Sequence, residues 1–441
     1  MSLLHLPALL TTAFTDFAWW LDPRNRKRLA LIFLGILLAR GRRTCTSWFR
    51  PAGITDQFRP AYTTINAVGR KIKSMAVTTL STVEPLLPAK RLTVAIDDTP
   101  TPRYGPQVQG CGIHRNPTPG PAGQKFFYGH AWVTLAAIVR HPQWDTIALP
   151  LQAQLYVREA DIEKLPPEQS RPFATKLQLA VEQLKWLKLW VADRFAERWV
   201  LVDGGYSYTT FLGPAKSEGW VVVGRLRKDA ALWSVPKPKR PGQPGPAPTY
   251  GKERVSLAKR AGHKSGWEQV ECVQYGTKLT KKIKTFEATW QPAGGRIRVV
   301  LIQEDHGWVA FFCTKPDATA VEILEAAADR GAIEQTFRDV KEVWGAGQQQ
   351  VRSISSNEAC FNMNLWMYSV VEAWAWKQGE ECLSDRSASP WDSEPRRPSH
   401  NDKRKALQRE VLQGAIEEGL SGRPTKERLR ALAEWLLELA A

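Results

Sequence analysis

Apolar and polar positions repeat with two different periods along this chain, and the changes of period divide it. From Phe14 to Leu21 and from Arg28 to Arg40 the apolar residues recur at helical spacing. Thr55–Lys73 predicts a further pair of helices, with Pro60 starting or breaking one. From Arg91 the period shortens to that of strands, over Leu92–Ile96, Lys125–Val139 and Thr146–Val157. Arg171–Ala192 returns to helical spacing through Leu177, Leu184, Leu187 and Val191, and two short apolar runs follow at Trp199–Val202 and Gly219–Val223. Three strands, a helix, a strand, a helix and a strand predict an α/β fold, a mixed sheet with crossover helices.

Beyond that the pattern is interrupted. Gln269–Gln274, Thr285–Trp290 and Arg296–Ile302 read as antiparallel strands joined by turns, after a Pro- and Gly-rich loop at Lys237–Lys252. Val309–Thr314 is another strand and leads into a helix over Ala328–Trp344; Arg352–Trp376 is Trp-rich and helical. The expected organisation is a helical segment at 1–90, a first part of a core at 91–228, a β-rich insertion at 229–305, the rest of the core at 306–380, a Ser- and Pro-rich linker at 381–404 and C-terminal helices at 405–441.

Charge sharpens this picture. The net charge of +17 is concentrated: residues 1–90 hold 13 Lys and Arg against 4 Asp and Glu, and residues 225–300 hold 17 against 5. Those two surpluses exceed the total, so the remaining chain is slightly acidic, and two separate regions for a polyanion are predicted. The first would be a DNA-binding domain or, with no clean helix-turn-helix signature, a helical cap over the core. The six Cys residues carry no C-x-x-C pair, which fits a reducing cytoplasm. Leu29–Ala39, flanked by Arg28 and Arg40, is too short to span a bilayer, so no membrane partner is expected. Cys111 and His114 lack the further ligands zinc requires, and no P-loop pattern occurs, so ATP dependence is not expected.

Three acids stand out. Asp97 or Asp98 ends the first strand, Asp203 ends a later one, and Glu334 lies on the Ala328–Trp344 helix. Strand ends in α/β sheets border the crevice where such sheets hold ligands. Winding the helix at about 100° per residue puts Arg330, Glu334 and Lys341 within roughly 40° of one another, beside an apolar stripe of Ile333, Phe337, Val340 and Trp344. Converging carboxylates without His or Cys are hard oxygen donors, suited to Mg²⁺ or Mn²⁺, and two such ions suit phosphodiester chemistry. Strand alternation favours Asp98, which continues the face of Leu92, Val94 and Ile96.

The motifs Ala95-Ile96-Asp97-Asp98-Thr99, Leu201-Val202-Asp203-Gly204-Gly205-Tyr206-Ser207 and Arg330-x-x-x-Glu334 with Lys341 resemble those of insertion-sequence DDE transposases of bacteria, in the group with a β-rich insertion before the third acid. The resemblance covers roughly residues 90–375 and departs from the family pattern at Ala327, where a Tyr is usual. It implies an RNase H-like catalytic core, with Asp97 or Asp98, Asp203 and Glu334 as catalytic metal ligands, and its Asp-x-Ser/Thr spacing favours Asp97 with Thr99. It further implies that Arg330 and Lys341 contact the DNA backbone and that Tyr206 helps hold the transposon end; Trp290 is a candidate for stacking on a flipped base. The expected partners are double-stranded DNA, as terminal inverted repeats and target, and a second copy of the chain in a homodimer on DNA, in a nucleoid-associated cytoplasmic setting. The competing expectations are a transposase-derived DNA-binding protein without activity and an RNase H-like nuclease without strand transfer.

Overall fold

A computed structural model describes residues 6–56, 58–116, 123–239, 244–384, 391, 396–422 and 424–440. Parts of the expected loop (240–243) and of the expected linker (385–390 and 392–395) lie outside the described residues.

Among the described residues, twelve strands form one sheet. They are β1 (Arg91–Pro102), β2 (Gly112–Arg115), β3 (Phe126–His141), β4 (Asp145–Tyr156), β5 (Glu197–Val202), β6 (Val221–Leu226), β7 (Leu232–Trp233), β8 (Arg254–Val255), β9 (Glu268–Gln274), β10 (Thr277–Trp290), β11 (Gly295–Glu304) and β12 (Gly307–Cys313). β4, β3 and β1 are antiparallel neighbours, and β1, β5 and β6 run parallel, which is an RNase H-like arrangement. The basic, β-rich segment does not form a separate sheet. Its strands β12, β11 and β10 continue outward from β6 by antiparallel pairing, and β9 pairs with β10.

Five helices precede the sheet: α1 (Ala8–Trp19), α2 (Pro23–Leu38), α3 (Cys45–Phe49), α4 (Phe58–Gly69) and α5 (Ile72–Val83). The Asp22 carboxylate caps α2 by accepting the Arg24 and Asn25 N–H groups. α6 (Glu159–Ile162) and α7 (Lys176–Val191) follow β4. A capping box of Thr175 and Gln178 starts α7 five residues later than the apolar spacing alone predicts. Then come α8 (Thr209–Ser217), α9 (Leu257–Gly262), α10 (Ala320–Asp329), α11 (Gly331–Glu342), α12 (Ile354–Ala375), α13 (Glu380–Leu383), α14 (His400–Leu420) and α15 (Lys426–Ala440).

α12 organises the interior. Every residue of it except Glu358 is buried, and a helix apolar on all sides belongs at the centre of a fold. It lies along the outer edge of β4 and satisfies that edge. Asn362 bonds the N–H and C=O of Ala153, Trp366 donates to the Leu151 carbonyl, and Ser369 to the Pro150 carbonyl. The N-terminal helices pack on the same helix, with the Phe17 ring stacked on Trp366 at 5.1 Å, and share one continuous core with the sheet.

The expected linker ends earlier than its polar composition implies. His400, Lys403 and Arg404 belong to α14 and are buried. Glu372 on α12 takes a hydrogen bond from His400 Nδ1 at 2.6 Å and an ion pair from Lys403 at 2.6 Å. Those charges are paired inside the protein, so they do not mark a solvated segment.

Candidate active site

β1 and β5 run side by side in parallel, with Ile96 opposite Val202. The next residue on each chain is an aspartate, so Asp97 and Asp203 stand at the same level; Asp203 follows the end of β5, whereas β1 does not end at Asp97 or Asp98 as expected but runs on to Pro102, held by its antiparallel pairing with β3. Period-two alternation then fixes the face. Ala95 and Leu201 belong to the cluster formed with Ile323, Ile333 and Phe337 of α10 and α11. Asp97 and Asp203 therefore share the face that these helices cover. Leu92, Val94 and Ile96 belong to the cluster on the opposite side, and Asp98 follows them, pairing with Lys176 at the start of α7.

The Ala328–Trp344 stretch is two helices. α10 ends at Asp329, α11 begins at Gly331, and Arg330 is the residue between them. From that junction its guanidinium reaches Asp97 Oδ2 at 3.0 Å and Glu334 Oε1 at 2.6 Å. Asp97, Arg330 and Glu334 thus form a carboxylate, cation, carboxylate series, and Asp203 adds its field to both Asp97 and Arg330. The Asp203 side chain accepts the Gly204 N–H at 2.6 Å and opens the 3₁₀ turn Gly204–Tyr206. The Glu334 side chain is 61% exposed, whereas that of Asp97 is only 17% exposed.

Electrostatics follow from this burial. Desolvation pushes the Asp97 carboxyl up to about 7, in spite of the nearby Arg330 cation and the Asp98 N–H, and Asp98 and Asp203 add to the rise. Burial lowers the pKa of Arg330, but Asp97, Glu334 and Asp203 outweigh it and hold the group above its ordinary value. Burial also lowers Lys341, which makes no hydrogen bond or ion pair among the described residues.

The donor set suits a hard divalent cation in kind, since Asp97, Asp203 and Glu334 offer only carboxylate oxygens. Among the described residues no group of three or more His, Cys, Asp or Glu side chains is close enough to hold a metal ion as it stands. The Arg330 guanidinium instead lies between Asp97 and Glu334, in contact with both. A cation already bracketed by two of the acids marks this position as one that favours positive charge.

Two residues expected at the DNA are placed elsewhere. Trp290 is 6% exposed and packs edge-on against Phe312 at 5.0 Å, so its ring is part of the core and cannot stack on a base. Tyr206 is also buried, against Phe211 at 5.5 Å. Its hydroxyl has no hydrogen-bond partner among the described residues, and burial, then Asp98, Asp97 and Asp203, raise its pKa well above 10. The ring supports the floor beneath the acids and offers no exposed surface to DNA. His130 is a satisfied strand histidine: it bonds the Gln109 carbonyl at 3.0 Å, and desolvation holds it at about 3.

One residue at the site was not singled out from the sequence. Tyr275 sits at the β9–β10 turn with a positive φ of 52° and is 73% exposed. Its ring lies 3.6 Å from where a Cβ on Gly331 would be, next to Arg330. The turn is held there by the Val273 N–H donating to Glu325 of α10 at 3.0 Å. Gly276 between two alternating runs signals a turn, but no local pattern says that this turn reaches α11.

A family model described as "DDE superfamily endonuclease" matches residues 16–292 of the chain. The match takes in both aspartate-bearing strands and ends before α11, so Arg330 and Glu334 lie beyond it. No curated protein matches the chain. No helix among the described residues is long and apolar enough to cross a membrane.

Proposed function

The chain belongs to the DDE superfamily of endonucleases, and from that premise we propose that it is a DNA transposase that cuts at transposon ends and joins the freed strand to target DNA. The observation that supports this reading is the placement of Asp97 and Asp203 at the same level of the neighbouring strands β1 and β5, under the helix whose Glu334 is linked to Asp97 through Arg330. A buried carboxyl raised to about 7 beside further acids is the kind of perturbed group that clusters at functional sites, which supports the reading.

In this reading Asp97, Asp203 and Glu334 hold divalent ions, Mg²⁺ or Mn²⁺, most simply two. Bound there, such ions supply an activated water or 3′-hydroxyl and stabilise the leaving oxygen of the phosphodiester. Asp98 has the separate task of anchoring α7 through Lys176. Arg330 orients Asp97 and Glu334 and presents its remaining positive charge to the phosphate, where a fixed cation stabilises developing charge. Lys341, on the same side of α11, meets the backbone further along the strand. The excess of Lys and Arg in residues 1–90 and 225–300 supplies sequence-independent attraction for duplex DNA, which weakens steeply with salt. Residues 1–90 would act as the DNA-contacting module, and recognition of two inverted repeats would bring two copies of the chain together.

A cleavage and joining assay on terminal inverted repeats tests the proposal. It expects Mg²⁺-dependent nicking at the repeat ends, joined products when pre-cut ends and target are supplied, and loss of both with Asp203→Asn or Glu334→Gln. Full activity in either variant would sink the assignment, and cutting without any joined product would leave a nuclease rather than a transposase.

A further inference from the structure

Beyond the acids, the far end of α11, where Lys341 lies, borders a second feature whose other residues the proposed chemistry does not use. The loop after α11 turns back at Gly345 (φ 68°) and Gly347 (φ 95°). A Cβ at Gly345 would fall 2.4 Å from the Arg43 side chain, and one at Gly347 would fall 2.9 Å from Thr101. Both glycines are thus required by close approach, one to the Arg40–Arg43 turn and one to the end of β1. Hydrogen bonds fix the contact: the Arg43 N–H donates to Gln348 Oε1 at 2.8 Å, and Gln349 Nε2 donates to the Arg43 carbonyl at 2.9 Å. The basic turn that ends α2 is therefore carried to the catalytic sheet, more than three hundred residues away in sequence.

Between these elements lies a cleft of about 600 Å³. Arg42, Lys341 and Arg352 line it, and so does Tyr104, and none of the residues around it is acidic. The side chains of Arg42, Lys341 and Arg352 make no hydrogen bond or ion pair among the described residues. The fourth cation, Arg103, is spent on structure: it donates to the Gly347 carbonyl at 2.8 Å and to Gln349 and Asn357. Three uncompensated cations round one cleft repel one another, and burial disfavours the charge on Lys341; an anion relieves both costs. Tyr104 is 87% exposed at the cleft, where an unsupported aromatic ring is costly in water and useful as a stacking platform.

Position and size narrow the ligand. Thr101 and Pro102 at the cleft lie four and five residues beyond Asp97 on β1, roughly 13–17 Å along the strand. Lys341 lies seven residues beyond Glu334, about 10 Å along the helix axis. The volume is that of a small-ligand cleft, and the exposed Tyr104 ring can stack only on a base that is not already stacked inside a duplex. We propose that this cleft is the track for an unpaired DNA strand running on from the scissile phosphate, with phosphates on Arg42, Lys341 and Arg352 and a base stacked on Tyr104. This rests on the transposase reading for the direction of the strand, and it adds that the DNA next to the cut is held open.

Binding can be measured without cleavage. The full chain is titrated, with EDTA present, into a labelled oligothymidine about 12 nucleotides long and into a duplex of the same length, over a range of salt. The proposal expects Arg42→Gln with Arg352→Gln to lower the salt slope for the single strand by about 0.7 per cation removed. It expects Tyr104→Ala to weaken the single strand about tenfold with the salt slope unchanged, and Tyr104→Trp to restore it. All three residues project from the surface, and unchanged thermal unfolding verifies the fold of each variant. Unchanged affinity and slope in the double arginine variant, or losses confined to the duplex, overturn the proposal. A wild-type chain that binds the single strand in this way yet never cuts terminal repeats would overturn the transposase reading and leave the cleft standing.

Discussion

Arg330 stands 3.0 Å from Asp97, so the cation at a helix junction is bound to a strand carboxylate more than two hundred residues earlier in the chain. The same guanidinium holds Glu334 at 2.6 Å. Arg330→Gln would leave the mostly buried Asp97 carboxyl without its compensating cation. We expect a loss of about 1–3 kcal/mol in stability, read from denaturant unfolding, and a fall in cleavage of about a hundredfold or more. Arg330→Lys should recover part of the stability and little of the activity, because one ammonium cannot fork between two carboxylates. Wild-type cleavage by Arg330→Gln would show that the bridge is only structural.

The adjacent aspartates separate by face. Asp97→Asn is expected to reduce cleavage to background, whereas Asp98→Asn keeps cleavage within about tenfold and costs at most about 1 kcal/mol through its partly exposed pair with Lys176. Parallel cleavage and unfolding measurements on the two variants decide it; the reverse ranking would move the metal site to the other side of the sheet.

Trp290→Ala should act on the fold. Removing a core Trp is expected to cost about 3–5 kcal/mol, with DNA affinity lost only as far as the protein unfolds, and Trp290→Phe should retain most of both. A Trp290→Ala chain with full stability and selectively weakened DNA binding would restore the stacking role.

Acid should destabilise the protein through two buried groups. Desolvation raises Glu372, but Lys403 and His400 outweigh it and hold the carboxyl at about 2, below its ordinary 4.5. Its contribution is therefore complete above pH 4.5 and is lost as pH falls toward 2. His130, held at about 3 by desolvation against an ordinary 6.5, must be charged on acid unfolding, so its contribution is complete above 6.5 and declines below it. Asp97, pushed up to about 7, works in the opposite direction as pH falls from about 7 toward 3.8, so it offsets much of the His130 loss and unfolding midpoints should fall steeply only below about pH 4.5. Lys403→Met should cost about 3–5 kcal/mol at pH 7 by stranding the Glu372 carboxylate, while Glu372→Gln should flatten the part of the profile below pH 4.5. A midpoint that does not fall between pH 4.5 and 2 would contradict the Glu372 assignment.

The sequence by itself determined the core strands β1, β3, β4, β5 and β6, the helical character of α7 and α11, and the sides of strands on which the acids fall, because alternation and helical spacing are local properties of the backbone. It placed Asp97 and Asp98 on opposite faces, and it aligned Arg330 with Glu334 and Lys341. Only the tertiary structure decided which of those faces α10 and α11 cover, a choice made by Ile323, Ile333 and Phe337 against Ala95 and Leu201. Local pattern likewise could not tell a turn Trp that faces solvent from Trp290 under Phe312, or a solvated charge run from Lys403 and His400 around Glu372. Nor could it bring Tyr275 to Gly331, or the Arg40–Arg43 turn to the loop after α11. Those contacts join residues far apart in sequence, and their free energy arises from packing and desolvation, which no window of neighbouring residues contains.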